Sequence, residues 1–452
     1  MYRLRLWLDR LRTSLWFVPG LIVLASVLLA FAVLRIDAAL PKTWWEDAPG
    51  LAALFDVRIG GAMATLQAIG TSIMTIAGVV FSITIAAMTL ASGQYTSRVL
   101  RNFIRDRANQ AVLGIFLGIF VYCMLVMRSL SGVNENSHAP PVALLLSLVL
   151  AFVGIAMLIY FIHHIAMSLQ ATRVVATIAE TALPSIDRHF PDRFEPPDES
   201  ETERSNPPDN HRAVLRSKRN GYVTGVDTDT LLSQAEKEDC LVRVWRSPGQ
   251  FVTEGETLAE IRSAEALDDE SLSTFCNAWS FSTERTLEND PGYGLRQLVD
   301  VALKALSPGV NETTTGVMCV NWIGVILVRM SGRRMPPRTR SSDKCLRVVT
   351  NAPGLSDFIR LGFVQIRQNA SGNVAVLKRQ LEVLLTLATG AGARVCREAI
   401  TEQADAIESM LDPGIPWPPD RQDLENLLEA VRDAVDRDNP KADNDEKGST
   451  DP

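Results

Sequence analysis

Long runs of apolar residues occupy the first third of this 452-residue chain. Four runs carry no ionisable side chain in their middle, and each contains roughly the 17 to 25 residues needed to cross the hydrocarbon core of a bilayer. The second run is diluted by Thr, Ser and Gly, so a buried helix of a soluble domain is its alternative interpretation. The pattern predicts four transmembrane helices, over residues 17–34, 69–91, 111–127 and 142–162.

Positive charge is distributed unevenly over the segments that flank these helices. Four arginines precede the first helix and four more lie between the second and the third, whereas the other two connections hold few cations. Lys and Arg are enriched in cytoplasmic loops. We therefore expect a multi-pass membrane protein with both termini in the cytoplasm and with the first helix as an uncleaved signal anchor.

Composition changes after the fourth helix and divides the remaining chain into segments. Residues 317–330 are predicted to form an apolar helix, which is interpreted either as a buried helix of a soluble domain or as a short membrane segment. The helix is only about 14 residues long and contains Asn321, so the buried helix is favoured. Pro184 is expected to end the helix that leaves the membrane. The predicted fold class is an α-helical polytopic membrane protein with a cytoplasmic α+β domain. Its predicted segments are a transmembrane domain (1–165), a juxtamembrane helix (166–190), a disordered linker (191–211), a small barrel-sandwich-like β module (212–263), a mainly helical cytoplasmic domain (264–435) and a disordered acidic tail (436–452).

The second helix carries the most specific pattern in the sequence. Small and hydroxyl-bearing residues recur at alternating steps of four and three, which places them on one side of the helix. Such a face has two uses: it lets helices pack closely and hydrogen-bond to each other, or it lines a pore when several copies face one another. The candidate pore-lining residues are Thr71, Thr75, Ser82 and Thr89.

Basic residues follow the second helix at helical spacing and indicate an interfacial amphipathic helix. They are interpreted either as an anchor on the cytoplasmic side or as a basic mouth that attracts anions to a pore. The candidate mouth consists of Arg98, Arg101, Arg105 and Arg107. His163 and His164 end the fourth helix and point about 100° apart, so an interfacial cap is favoured and pH sensing is the alternative.

A polar loop follows a helical stripe of apolar residues in the soluble part. Ser307, Pro308 and Gly309 are expected to end that helix, and either Asn311 or Thr313 is expected to cap the next one. The alternative to capping is a site for a cation or a small molecule. This candidate ligand loop consists of Asp300, Ser307, Asn311 and Glu312.

Several classes of function find no support in the sequence. It holds no nucleophile–base set, no glycine-rich phosphate loop and no His/Glu metal pattern, so we expect no enzymatic activity, cofactor or metal site. The net charge of −7 gives no support for binding nucleic acid. The six cysteines stand far apart, which favours reduced thiols over disulfides.

Short motifs spread along the chain resemble those of one family. They include Ser14-Leu-Trp-Phe-Val-Pro19, Gly78-Val-Val-Phe-Ser-Ile83, Ser97-Arg-Val-Leu-Arg-Asn-Phe103, Tyr160-Phe-Ile-His-His164 and Ala305-Leu-Ser-Pro-Gly-Val-Asn311. They resemble the bacterial predicted membrane proteins grouped as domain of unknown function 2254, up to about residue 390. Where members tend to read Asn-Asp-Pro-Thr-Thr, the chain has Asn311-Glu-Thr-Thr314, which weakens any requirement for a fixed acidic ligand there. The resemblance implies a bacterial inner-membrane location and a shared fold, and it supplies no activity.

Two functions from different classes fit these observations. The first is an oligomeric passive channel for ions or small solutes, lined by the second helix; its charge-free interior disfavours proton-driven transport. The second is a membrane-anchored scaffold whose cytoplasmic domain docks a protein partner or lipid. The expected partners are the lipid bilayer and further copies of the chain, and a cytoplasmic protein partner belongs to the second hypothesis.

Overall fold

A computed structural model describes most of the chain. The described residues are 16–39, 57–94, 106–131, 139–192, 210–285, 290–342, 345–415 and 417–437. They form two compact units, the first ending at Arg173 and the second beginning at Val174. The predicted linker and acidic tail fall largely on residues outside these ranges.

Four long helices make up the first unit, and each extends beyond the apolar run that predicts it. They are α1 (Phe17–Ala39), α2 (Ile59–Gln94), α3 (Arg107–Leu130) and α4 (Pro141–Ser168). The 36 residues of α2 give it a length of about 54 Å, against a hydrocarbon core of about 30 Å. Within the described residues, five helices are long and apolar enough to cross a membrane: these four and Thr313–Ser331 of the second unit.

Helix α3 is the centre of the first unit. Half of its apolar window is buried, against 17–22% for α1, α2 and α4. Two glycines one turn apart, Gly114 and Gly118, let α1 approach closely: a Cβ at Gly114 would lie 2.8 Å from the Cα of Pro19. Gly154 of α4 likewise leaves room for Ile73 of α2. Small residues at contacts between membrane helices are the usual means of close packing.

Polar contacts join the helix ends on one side of the first unit. The Asp37 carboxylate of α1 accepts hydrogen bonds from the backbone N–H groups of Val142 (3.0 Å) and Ala143 (2.8 Å) in the first turn of α4. The Tyr122 hydroxyl of α3 donates to the carbonyl of Ala143 at 2.9 Å. Asp37 therefore satisfies donors that a helix N-terminus leaves unpaired.

The helix after α4 differs from the prediction. Helix α5 (Ala171–His189) continues through Pro184, so the expectation that this proline ends the helix is wrong. A proline removes one N–H donor. The helix continues because Ala182 and Ile186, on either side of the proline, are buried in the second unit.

Two sheets form the β part of the second unit. A five-stranded sheet has the order β1-β5-β3-β8-β7, and a three-stranded sheet has the order β4-β2-β6. Helices α6 (Thr228–Lys237) and α7 (Asp269–Asn277) lie between strands along the chain. The strands are β1 (His211–Arg216), β2 (Gly221–Val226), β3 (Cys240–Val244), β4 (Phe251–Val252), β5 (Thr257–Ser263), β6 (Trp279–Ser282), β7 (Thr339–Ser342) and β8 (Cys345–Val349).

The sheets extend beyond the segment predicted as a β module. Strands β6, β7 and β8 lie past residue 263, in the segment predicted to be mainly helical. Strand β8 pairs in parallel with β3, with Val242 opposite Val348. A parallel pair needs a long connection. Here that connection contains the helices Asp269–Asn277, Gly292–Ala305 and Thr313–Ser331, so strands and helices of the second unit alternate along the chain.

Three helices of the second unit pack against α9 (Thr313–Ser331): those over Gly292–Ala305, Leu355–Asn369 and Val374–Ala388. Close contacts occur at three glycines: a Cβ at Gly316 would meet Leu306 at 2.9 Å, one at Gly324 would meet Val383 at 2.8 Å, and Gly362 faces Ile323 of α9. The predicted buried helix thus lies in a helical core, although it is longer than predicted. The other helices are α8 (Gly292–Ala305), α10 (Leu355–Asn369), α11 (Val374–Ala388), α12 (Ala393–Glu408), α13 (Leu411–Gly414) and α14 (Pro418–Arg437).

Candidate functional site

The hydroxyl face of α2, defined by Thr71, Thr75, Ser82 and Thr89, points away from the other helices of the first unit. All four side chains are exposed. The opposite side of α2 carries residues buried in the core of the unit, including Ile73, Ala77 and Val80. Gly78 lies on the exposed side, and a Cβ added there would meet nothing within 4 Å. The structure therefore brings the candidate pore-lining residues onto one open face.

The hydroxyl groups on this face donate to their own helix. Thr75 donates to the carbonyl of Thr71 (2.9 Å), Ser82 to that of Gly78 (2.9 Å) and Thr89 to that of Ile85 (3.0 Å). A hydroxyl has one hydrogen and two lone pairs. Because the hydrogens of Thr75, Ser82 and Thr89 are used within the helix, these three hydroxyls offer acceptor oxygens to the outside and do not donate. Such a surface suits cations and hydrogen-bond donors, and it is also compatible with contact between helices.

The candidate basic mouth is described only in part. Arg98, Arg101 and Arg105 lie outside the described residues, and Arg107 is the exposed first residue of α3. Next to it, Asp106 caps α3 by accepting from the N–H of Ala108 at 2.9 Å.

A histidine of α4 contacts the same cap. His164 Nε2 lies 2.5 Å from the Oδ2 atom of Asp106, and its ring stacks on Tyr160 with centroids 5.6 Å apart. His163 is exposed. The two histidines therefore have separate roles, and His164 joins the C-terminal end of α4 to the N-terminal end of α3.

The candidate ligand loop is divided between two places. Asp300 lies on α8 and forms an ion pair with Arg296 at 3.0 Å. Ser307 and Glu312 belong to the turn between α8 and α9, where the Glu312 N–H donates to the carbonyl of Ala305 at 2.8 Å. The N-cap of α9 is Glu312, so the prediction that Asn311 or Thr313 caps this helix is wrong. Asn311 instead has a left-handed backbone (φ 50°), which asparagine tolerates better than most residues. Within the described residues, no three His, Cys, Asp or Glu side chains come together as metal ligands would.

A basic surface on the five-stranded sheet is absent from the sequence-based predictions. Arg212 of β1 stands directly opposite Arg262 of β5, and Glu260 stands directly opposite Arg243 of β3. Glu260 accepts from Arg212 NH2 at 2.5 Å and from Arg262 Nε at 2.8 Å. We call Arg212, Arg243, Glu260 and Arg262 the arginine face; it carries three positive charges and one negative charge.

Glu260 is buried beneath these arginines, with 4% of its surface exposed. Burial acts to raise the pKa of this carboxyl, but the hydrogen bonds from Arg262 and Arg212 outweigh burial and hold the pKa below its ordinary value. A carboxyl with a depressed pKa in the folded state stabilises the fold above its unfolded-state pKa. That stabilisation is lost as the pH falls through the folded-state pKa.

We expect Glu260→Gln to reduce both stability and its dependence on pH. At neutral pH the variant leaves two directly opposed arginines without the negative charge between them and with one acceptor oxygen instead of two, so it should unfold more easily than the parent. As the pH falls below about 5 and through the folded-state pKa of Glu260, the parent should lose more stability than the variant, as denaturant titrations of the full chain in detergent will measure. Glu254→Gln, at an exposed position, is the control. Equal acid sensitivity in the parent and the Glu260 variant would contradict this role.

Two structural features had a signal in the sequence that was not used. Gly114 and Gly118 form a Gly-x-x-x-Gly pattern within an apolar helix, which is typical of close helix contacts in membranes. Asp106 has the position and residue type of a helix N-cap. The contacts of Asp37 with α4 and of His164 with Asp106 join segments 105 and 58 residues apart, so local pattern does not reveal them.

Comparison with known proteins identifies relatives along most of the chain. The model of a family described as "Predicted membrane protein (DUF2254)" matches residues 12–386. Two similar curated proteins are "Uncharacterized protein Rv1290c" of Mycobacterium tuberculosis and "Uncharacterized protein Mb1321c" of Mycobacterium bovis. Each is 28% identical over 392 residues, which cover 84% of this chain and 73% of the relative. No solved structure matches the chain.

Proposed function

Because the chain belongs to the DUF2254 family of predicted membrane proteins, we propose that it is a passive channel of the bacterial inner membrane. In this proposal α1 to α4 cross the bilayer and both termini are cytoplasmic, in agreement with the distribution of arginines. Several copies assemble with the hydroxyl faces of α2 around a central path. The proposed permeant species are ions or small polar solutes.

The fifth apolar helix, α9, is assigned to the cytoplasmic unit in this proposal. It is the least apolar of the five candidate helices. At its C-terminal end, Arg329 pairs with Asp187 of α5 at 2.7 Å, and Arg333 beyond the helix pairs with the same carboxylate. Together with the close glycine contacts, these ion pairs favour a helix held within a water-soluble core over one that faces lipid.

The observation that carries the channel proposal is the exposure of the hydroxyl face in the single protomer. Four polar side chains and an open glycine share one side of a helix whose other side is buried. Lipid gains nothing from oxygen lone pairs, whereas a permeating cation does. The acceptor surface of α2 favours cations, and the basic mouth favours anions, so measured ion selectivity shows which of the two features controls permeation.

The proposed assembly has its own test at Gly78. In the proposed ring Gly78 lies at the contact between neighbouring α2 helices, whereas Ser82 faces the central path. We therefore expect Gly78→Ile to leave the protomer intact, since a Cβ there has open space, but to prevent close approach between copies. The measurement is the mass of the detergent-purified protein by light scattering, together with its unfolding midpoint. Gly20→Ile, on an open position of α1, is the matched control. An unchanged mass for the Gly78 variant would contradict assembly through this face.

The alternative function, a membrane-anchored scaffold, is favoured by a different observation. The second unit is large, has its own core and carries the exposed arginine face. Under this alternative the hydroxyl face of α2 serves packing alone. Ion flux across liposomes that contain the full chain decides between the two: flux supports the channel, and silence under varied voltage, pH and membrane tension supports the scaffold.

A further inference from the structure

The five-stranded sheet has one covered side and one open side. Its covered side packs Leu215, Val242 and Ile261 into a core shared with α6, α7 and the smaller sheet. Side chains on a strand alternate between the two sides. Arg212, Glu260 and Arg243 therefore lie on the opposite side, as their direct cross-strand positions require.

Exposure shows that part of this second side is open, whereas Leu241 and Leu258 on the same side are buried. The Arg212 side chain is 64% exposed and that of Arg262 is 34% exposed. Val214, which stands opposite Glu260, and Trp245, which follows β3, are 42% and 44% exposed. The open side thus combines basic groups with apolar side chains.

Trp245 belongs to the same surface as the arginines. The guanidinium carbon of Arg243 lies 6.0 Å from the centre of the Trp245 ring, within the range of a cation–π contact. The backbone N–H of Trp245 donates to the carbonyl of Leu258 at 2.8 Å, which fixes the backbone of Trp245 beside the start of β5. The indole is therefore held in place at the edge of the arginine face.

We propose that the arginine face binds the surface of a bilayer that contains anionic phospholipid. Three arginines surround one glutamate, which accepts hydrogen bonds from two of them, and a guanidinium matches the geometry of phosphate oxygens. Tryptophan beside Arg is typical of surfaces that lie at a membrane interface. The spanning helices in the same polypeptide keep this face at high local concentration near a bilayer. The inference does not depend on whether the chain conducts ions.

The neighbouring charges do not neutralise this surface. Arg347 of β8 is paired with Asp239, and Arg246 after Trp245 is paired with Glu256. Glu260 is the acidic group on the open side of β1, β5 and β3 among the described residues. The side chains that these three strands place on the open side therefore carry a net positive charge. A negatively charged surface complements that charge.

The test uses the full chain in vesicles with a lipid quencher. One set of vesicles is neutral phosphatidylcholine, and the other contains about one third phosphatidylglycerol; both include phosphatidylcholine brominated on the acyl chain near the headgroup. The signal of Trp245 is the fluorescence of the parent minus that of a Trp245→Phe variant. Both leaflets have the same composition, so the orientation of the protein does not matter.

We expect the Trp245 signal to be quenched about twofold or more in the anionic vesicles, less in the neutral ones, and less again at high salt. The double variant Arg212→Gln/Arg243→Gln should abolish the difference between the two lipids. It keeps the ion pair of Arg262 with Glu260, so the sheet should remain folded, as circular dichroism will check. Lys304→Gln/Arg334→Gln, at two other exposed positions, removes the same charge and should leave the difference unchanged.

Three outcomes would overturn the proposal. Equal quenching in the neutral and anionic vesicles would show that binding of the arginine face does not depend on the charge of the lipid headgroups. Absence of quenching in both kinds of vesicle would show that the arginine face does not reach the bilayer. An acidic polypeptide would then be the partner that fits its charge. A signal that follows the ratio of protein to lipid instead of lipid charge would identify a second copy as the occupant.

Discussion

Replacing Ser82 by Trp should abolish ion flux through the reconstituted protein while leaving the protein folded and assembled. Ser82 is exposed in the protomer and lies near the middle of the hydroxyl face of α2. A bulky indole at that position has space within the protomer, but in a ring of copies it is repeated around the proposed path. Because an apolar constriction dewets a narrow pore, we expect flux to fall by about tenfold or more.

The measurement is ion flux across liposomes, with parent and variant at equal protein density. Phe152→Trp is the matched control, since Phe152 of α4 is 72% exposed and the change introduces the same side chain on a different helix. The control should conduct like the parent. Unchanged flux in an assembled Ser82 variant would rule out α2 as the pore lining, and loss of flux in both variants would indicate a general effect of the added tryptophan.

Replacing Gly114 by Val should strongly destabilise the first unit. A Cβ at this position would lie 2.8 Å from the Cα of Pro19 and 2.8 Å from Ile22, so the backbone of α1 itself must move. Overpacking of this kind costs roughly 1–3 kcal/mol, a factor of about 5 to 150 in the unfolding equilibrium. Unfolding of the detergent-purified protein, followed by circular dichroism, is the measurement.

Gly20→Val supplies the control for this prediction. Gly20 is next to Pro19 on the same helix, yet a Cβ there meets nothing within 4 Å. The control should shift stability by about 0.5 kcal/mol or less. If Gly114→Val behaves like Gly20→Val, α1 and α3 do not approach each other as closely as the structure shows.

The sequence predicts the helices of the first unit but not their full extent. Apolar runs mark the part of each helix that suits hydrocarbon, whereas the helix itself continues wherever the backbone can keep its hydrogen bonds. Helix α2 thus begins at Ile59, ten residues before the predicted span, through a stretch that includes Gly60 and Gly61. Polarity predicts where the membrane lies and does not set where a helix ends.

Other parts of the fold depend on pairings between distant segments. The parallel contact of β3 with β8 joins residues more than one hundred positions apart. The alternation of apolar and polar residues within one strand does not show which other strand it pairs with. The arginine face follows from the same sheet, because cross-strand register places Arg212, Arg262 and Arg243 around Glu260. The hydroxyl face of α2 was predictable, since it depends only on the period of a single helix.

The contact of Asp37 with α4 has a consequence for biogenesis. The carboxylate is synthesised 105 residues before the backbone N–H of Val142 that it binds, and 106 before that of Ala143. At about 5 to 20 residues per second, the ribosome needs roughly 5 to 20 s to deliver those donors. During that interval Asp37 lacks both of these backbone partners. These two hydrogen bonds therefore form only after the first turn of the fourth helix has been synthesised.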